Sequence, residues 1–377
     1  MLHVVRSCLR RAAALAAAAT LALALGACGR AAESGTAVRP ASPTASGRPT
    51  VGLLVPDSIT PRWDRFDRPL IERRIGQLCP ACAVVSVSAQ GDVALQQQQV
   101  DSMIIKRVSA LVLVPVDAKA LRPAVKKARE AHIPVVSYDR LAQGPISAYV
   151  SFDGQEVGRL QAKALLRAIG ARRAPGAGIV MMNGDLADPN GVAFRKGALA
   201  VLTGKVRIEK SYDTAGWRPD SAYTNMSGAI AALGPRHIDG VYAANDGLAS
   251  GVIAALRANG VRPIPPVTGQ DAELAAVQRI LVGDQYMTVY KPFKPEAYAA
   301  AEMAVSLAHG RGPGPIARDR ARGGVPAVLL RPIPLTVHTI GKTVVKDGMY
   351  TIEQICTPKY RPACERAGLL PSAEPAR

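Results

Sequence analysis

VVSYDRLAQGPISAYVSFDG, residues 135–154, decides the architecture. It opens inside an apolar run, IPVVSY (133–138), of the kind that fills a strand buried on both faces. The run stops at Tyr138-Asp139-Arg140, an aromatic ring, a carboxylate and a guanidinium in succession. A turn-rich stretch leads to a second apolar run, AYVSF (148–152), and then to the helical period of Gln155–Ile169. Strands alternating with helices make βαβ units. Ligands of the resulting parallel sheets bind beyond the carboxyl ends of the strands, where this stretch delivers its polar residues.

The same pattern extends both ways. Further strands are expected at VGLLV (51–55), AVVSVS (83–88), ALVLVPV (110–116), GIVMM (178–182), VRIEKSY (206–212), IDGVYA (238–243) and YMTVY (286–290). Helices are expected at Ala118–Ala131, Ser221–Leu233 and Leu248–Asn259, the last closed by Gly260. Roughly 300 residues exceed one core of this type, so two α/β lobes are expected, with crossovers near Ser151–Gln155 and near Tyr290. The expected lobes are 51–153 with about 290–325, and 154–289 with about 326–350. Residues 351–377 are left as a C-terminal tail.

Seven polar groups fall in register with strand ends. Asp57 and Arg62-Trp63 follow the first strand, Asp139-Arg140 the fourth, and Asp188 with Asn190 the run GIVMM. Trp217 follows VRIEKSY, Asn245-Asp246 IDGVYA, Gln270-Asp271 the short PVTG, and Lys291 YMTVY. Both tryptophans of the chain sit among charged and turn residues instead of in apolar runs. An indole offers a flat apolar face, and planar carboxylates, amides and guanidinium groups each take two neighbouring hydroxyls. Flat faces beside planar polar groups suit a sugar. The plainer readings are surface ion pairs for Arg62 and Arg140, a turn for Asp188 and Asn190, and a helix cap for Asp246.

The start of the chain has the parts of a secretory signal in residues 1–27: Arg6, Arg10 and Arg11, an apolar core over Ala12–Leu25, then small residues. That core is shorter than the roughly 20 residues that span a bilayer. Leu25-Gly26-Ala27-Cys28 resembles the lipobox of bacterial lipoproteins, which implies a lipidated Cys28 and a membrane anchor. Residues 28–50 then form a flexible Ala/Ser/Thr/Pro/Gly tether. Cys79, Cys82, Cys356 and Cys364 remain, an even number in an exported chain, with three possible pairings of which the local ones, 79–82 and 356–364, are favoured. A redox motif at Cys79-Pro80-Ala81-Cys82 is disfavoured because it precedes a strand instead of opening a helix. No histidine stands at ligand spacing for zinc. The net charge of +18 includes the three signal arginines, leaving +15, and the cations are dispersed, so a nucleic-acid partner is not expected.

VVSYDR…YVSFDGQEVGRLQAKAL, FRKGALAVL, AANDGLASGVIAAL and TGQDAELAAVQRILVGDQYMTVYKP resemble stretches of the periplasmic D-xylose-binding proteins, the solute-binding components of xylose ABC transporters. The resemblance runs from about Val51 to Tyr350. It implies a type 1 periplasmic-binding-protein fold: two Rossmann-like lobes joined by three crossover strands, with a monosaccharide in the cleft and a permease as partner. It further implies that Arg62, Trp63, Asp139 and Arg140 enter the pocket from the first lobe and Asp188, Asn190, Trp217, Asn245, Asp271 and Lys291 complete it. Two departures bear on the sugar. Asp188-Pro189-Asn190 stands where the family commonly has Asp-Asn-Asn, and DSITPRWDRFDR matches only in part.

An enzyme is disfavoured by the lack of a nucleophile elbow, phosphate loop or metal-spaced histidine pair. A DNA-binding regulator of this fold would need a helical reading domain where residues 1–50 supply signal and tether. A monomer without cofactor or metal is expected, and a sensor presenting sugar to a membrane receptor is the alternative.

Overall fold

The computed structural model describes residues 48–170 and 176–371. The expected signal, Cys28 and nearly all of the tether lie outside them. In chain order the first half runs β1 (Thr50–Val55), α1 (Arg68–Leu78), β2 (Ala83–Ser88), α2 (Val93–Ile105), β3 (Ala110–Leu113), α3 (Arg122–Glu130), β4 (Val135–Tyr138) and β5 (Ala148–Phe152). The second half begins with α4 (Gly154–Ile169), β6 (Gly178–Asn183), α5 (Pro189–Leu202), β7 (Arg207–Asp213), α6 (Pro219–Leu233), β8 (Gly240–Ala243), α7 (Asp246–Ala258), α8 (Leu274–Leu281) and β9 (Thr288–Tyr290). The chain then returns through α9 (Phe293–Ala308), β10 (Asp319–Arg320), β11 (Pro326–Leu330), β12 (Ile333–Leu335), α10 (Ile352–Ile355) and α11 (Arg361–Arg366).

The first sheet has the order β10-β11-β5-β4-β3-β1-β2, parallel except for β10. Successive side chains of its strands go to opposite faces. Val51, Leu53, Val55, Val112, Val136 and Tyr138 pack under α1 and α9, whereas Leu54, Leu111, Leu113 and Val135 pack under α2 and α3. Each such aliphatic side chain contributes about 1.5–3 kcal/mol by leaving water.

The second sheet, β7-β6-β8, is also parallel. Single bridges from Val241 to Val267 and from Gln270 to Val289 carry it through an irregular segment to β9, which pairs antiparallel with β12. Helices α4 and α5 approach closely where glycines allow it: a Cβ on Gly158 would lie 1.9 Å from the Phe194 carbonyl oxygen, and one on Gly197 2.0 Å from that of Gln155.

The chain crosses between the sheets after β5, after β9 and after β11. The third crossing corrects the expected boundary near 325. Pro326–Leu330 pairs parallel with β5 in the first sheet, and only β12 belongs to the second. Which sheet a short strand joins is decided by distant pairing, which local pattern does not carry. Helix α3 starts at Arg122 instead of Ala118, because the Asp117 carboxylate accepts from the N–H groups of Lys119 and Ala120 (2.8 Å each) and holds a turn, and Pro123 suits a first helical turn. β7 is an edge strand with largely exposed side chains, not a strand buried on both faces.

Residues 351–371, expected as a tail, pack as a cap: Ile355, Ala363 and Cys364 are buried with Val277, Leu281, Leu335, Ile340 and Val344. The structure pairs Cys79 with Cys82 and Cys356 with Cys364. No helix among the described residues is long and apolar enough to cross a membrane.

Candidate functional site

All ten residues singled out from sequence line one cleft at the carboxyl ends of the strands: Arg62, Trp63, Asp139, Arg140, Asp188, Asn190, Trp217, Asn245, Asp271 and Lys291. Thr60, Phe194 and Gln270 line it as well. The polar side chains from both sides converge on one small, narrow cleft.

On the first-lobe side, the Asp57 carboxylate accepts from the N–H groups of Ile59 (2.9 Å) and Thr60 (3.1 Å) and turns the chain after β1. A wide π-type turn over Trp63–Asp67 then brings Asp67 back onto Arg62. Arg62 donates through Nε and Nη2 to both Asp67 oxygens (2.8 Å each), through Nη2 to Glu296 Oε2 (2.8 Å) and through Nη1 to Asp139 Oδ2 (2.7 Å). Its guanidinium lies between the rings of Trp63 (4.4 Å) and Phe293 (4.1 Å). With five N–H donors and four committed, Arg62 organises this wall more than it can grip a ligand. Burial alone would lower its pKa, but Asp139, Asp67 and Glu296 outweigh burial and raise it.

Tyr138-Asp139-Arg140 sends three side chains three ways. Tyr138 turns into the core and donates its hydroxyl to Asp67. Asp139 has φ 57°, a left-handed conformation that aspartate tolerates better than most residues, and it turns the carboxylate into the cleft. Its backbone is held there by β5: Val150 O accepts from its N–H (2.8 Å), and its carbonyl accepts from Ser151 Oγ (2.6 Å) and Tyr149 Oη (3.1 Å). Burial would push the Asp139 carboxyl up, but Arg62, Lys291 and Arg140 overcome this and hold it well below the usual carboxylate range. Arg140 reaches across, its Nε 2.8 Å from Asp188 Oδ2, an ion pair without hydrogen-bond alignment.

On the opposite wall the site residues are helix caps. Asp188 accepts from the N–H of Asn190 (2.8 Å), which starts α5, and its other oxygen accepts from Trp217 Nε1 (3.1 Å). Burial raises the pKa of Asp188 despite Arg140. Thus turn-shaping and site roles coincide in one residue. Asn190 Nδ2 donates across the cleft to the Asp139 carbonyl (3.1 Å) and carboxylate (2.9 Å). Trp217 has φ 54° and its ring sits directly over Gly184, where a Cβ would lie 2.0 Å from the ring edge. Phe194 packs edge-on against it at 6.2 Å.

Asn245, not Asp246, caps α7, accepting from Leu248 N–H (2.8 Å) and leaving its NH2 group as a donor. Asp246 is instead a buried clamp. It accepts from Gln285 Nε2 (2.7 Å), Glu273 N–H (2.9 Å) and Thr288 Oγ1 (2.9 Å), which fixes the segment carrying Gln270 and Asp271. Lys291 Nζ lies 3.0 Å from Asp271 Oδ1 and 3.4 Å from Asp139 Oδ2, at the second crossing between sheets. Burial would lower its pKa, but Asp139 and Asp271 raise it.

Three cations (Arg62, Arg140, Lys291) thus face three carboxylates (Asp139, Asp188, Asp271), so the lining needs no charge from its ligand. Among the described residues, four buried atoms of this lining lack a hydrogen-bond partner: Arg140 Nε and Asp271 Oδ1, which are held in ion pairs, and Trp63 Nε1 and Gln270 Oε1, one a donor and the other an acceptor. Thr60 and Phe194 were missed from sequence as pocket residues, and Gln270, named at its strand end, was not carried into the expected ligand set. Gln270 stood at a strand end beside a stronger candidate, and Phe194 reads as an ordinary helix residue.

This fold and lining define an extracytoplasmic solute-binding protein. Residues 51–312 match the periplasmic binding protein domain, and the chain belongs to that family, whose members bind solutes and are not enzymes. It is 36% identical over 307 residues to the D-xylose-binding periplasmic protein of Escherichia coli K12, covering 80% of this chain and 90% of that one. It is 29% identical over 348 residues to the multiple sugar-binding periplasmic receptor of Rhizobium radiobacter (86% and 97% covered). Among solved structures, an ABC transporter solute-binding protein of Clostridium phytofermentans with bound β-D-glucose superposes with a TM-score of 0.74 at 28% identity, covering 81% of this chain and 99% of that one.

Proposed function

We propose that this protein captures one neutral monosaccharide, D-xylose foremost, outside the cytoplasm and delivers it to the permease of an ABC transporter. The observation that carries this is the charge-balanced lining of the cleft, with an unpartnered donor and an unpartnered acceptor among its buried polar atoms. A hydroxyl both donates and accepts, so a ring of hydroxyls satisfies such a lining where an anion or cation would unbalance it. Trp63 and Trp217 supply the flat faces, and Arg140, Asp139, Asn190, Asn245, Asp271 and Lys291 the hydroxyl partners. The names of the xylose-binding and glucose-bound relatives support the same class.

Calorimetric titration with a panel of pentoses and hexoses tests the proposal. D-xylose is expected to bind most tightly, and Arg140→Ala to weaken it by about 1.5–3 kcal/mol, the range of a charged hydrogen bond. Absence of heat with every sugar, or tight binding of an anionic solute instead, would overturn the reading. The second reading, another pentose or hexose or presentation to a sensor receptor, rests on the Rhizobium radiobacter relative and is separated by the same panel and by receptor pull-down.

The anchor belongs to this proposal: Cys28 carries lipid after signal removal, the tether lets a monomeric body turn near the membrane, and the two cystine bridges form on export. Cys28→Ser should release the protein from the membrane fraction. Retention after that change would contradict the anchor.

A further inference from the structure

The Cys79-Pro80-Ala81-Cys82 loop is unused by the cleft. It lies at the opposite, amino-terminal edge of the first sheet, where α1 ends and β2 begins. Helix α9 packs along α1 and ends beside it at His309. The two sulfurs and a ring nitrogen of His309 all lie within 4.8 Å of one another. Both cysteines are nearly buried and His309 is exposed, so the group opens to solvent on one side.

The histidine is already oriented. Its Nδ1 is 2.8 Å from the Val305 carbonyl oxygen, which can only accept, so Nδ1 carries the proton and Nε2 keeps its lone pair. This is the tautomer-fixing arrangement of metal-bound histidines. The electrostatics point the same way. Helices α1 and α9 both present carboxyl-terminal ends here, and those ends carry partial negative charge that favours a cation. A disulfide-exchange catalyst needs the opposite, a cysteine at a helix amino terminus that lowers its pKa.

We propose that, once the Cys79–Cys82 bridge is opened, Cys79, Cys82 and His309 form a site for a thiophilic d10 cation, zinc(II) or copper(I). A dithiol reductant supplies two electrons and two protons and itself becomes a disulfide. The cation then displaces the two thiol protons and takes two thiolates and one neutral imidazole, with a fourth position open to water in the case of zinc. The Arg48 guanidinium donates to the carbonyls of Ala81 and Cys82 and so holds the loop that carries both cysteines. The bridge closes only its own loop, whereas the metal joins α1 to α9. Spacing along the chain does not register this grouping, because His309 reaches the cysteines through the packing of two helices.

Zinc titration of the exported protein, reduced with a phosphine that does not compete as a thiol, tests this. One zinc per chain is expected, with a rise in melting temperature that the oxidised protein does not show. Cys79→Ser/Cys82→Ser should abolish it, and both His309→Ala and His309→Gln should weaken it at least tenfold. Retained sugar binding reports that each variant is folded, since none of these residues lines the cleft. Failure of the reduced protein to bind zinc, wild-type zinc affinity in the two His309 variants, or persistence of the bound zinc in the double serine variant, which would place it at Cys356 and Cys364, would overturn the proposal.

Discussion

The two walls of the cleft hold their polar groups by different means. On the first-lobe wall, Arg62 is fixed by three carboxylates, Asp67 five residues on and Asp139 and Glu296 from distant parts of the chain, with Tyr138 behind them. On the second-lobe wall, Asp188 and Asn245 are the caps of α5 and α7, so placing the helix places the ligand group. One wall is a buried ion network whose members need one another. The other is built on local helix caps, with Asp188 also tied to Trp217 and Arg140 and Asn190 to Asp139. The contrast predicts unequal damage from equal substitutions.

The largest effect is expected from Arg62→Ala, which leaves buried carboxylates without their cation and should cost about 3–5 kcal/mol of stability in a denaturant titration. An effect below about 1 kcal/mol would mean that the network is not a unit. On the second wall, Gly184→Ala should leave the fold standing but push the Trp217 ring off its seat, weakening sugar binding roughly tenfold, about 1.4 kcal/mol. Unchanged affinity would show that the indole does not stack on the ligand.

The smallest effect concerns pH. Asp246 accepts three hydrogen bonds, yet burial, with the charge of Asp271 beside it, raises its pKa from the usual 3.8 to about 7, so its contribution to stability falls with rising pH in the same sense as that of its neighbour Glu273. Burial first, then the charges of Asp246 and Asp271, push Glu273 from the usual 4.5 up to about 8. A folded chain that holds a proton released on unfolding loses stability as pH rises through that window. The contribution is complete below about 4.5 and gone above about 8. Glu273→Gln should flatten the slope; a slope unchanged by that substitution would assign it elsewhere.

The same contrast explains how much was legible in the sequence. Asp188, Asn245 and Lys291 could be found because strand end, cap and helix are neighbours along the chain, and Tyr138-Asp139-Arg140 because an apolar run stops there. Asp67 and Glu296 were not legible as site supports. Asp67 meets Arg62 only through an irregular wide turn, and Glu296 arrives on a helix that returns from the other lobe. The third crossing was misplaced by five residues for the same reason, since β11 is assigned by its pairing with β5 and not by its own pattern. The seat of Trp217 over Gly184 leaves no local signal either. The resemblance named the residues that line the cleft, and the strand-end register supplied the reason for their convergence.

Cross-lobe contacts run from Asn190 to Asp139 and from Arg140 to Asp188, so a ligand held between these groups favours the closed state by contacts that the open state lacks. Small-angle scattering of the protein with and without saturating D-xylose measures this directly. A smaller radius of gyration is expected with sugar, and in Arg140→Ala the same compaction only at higher sugar concentration; an unchanged radius in the saturated wild-type protein would overturn closure around the ligand.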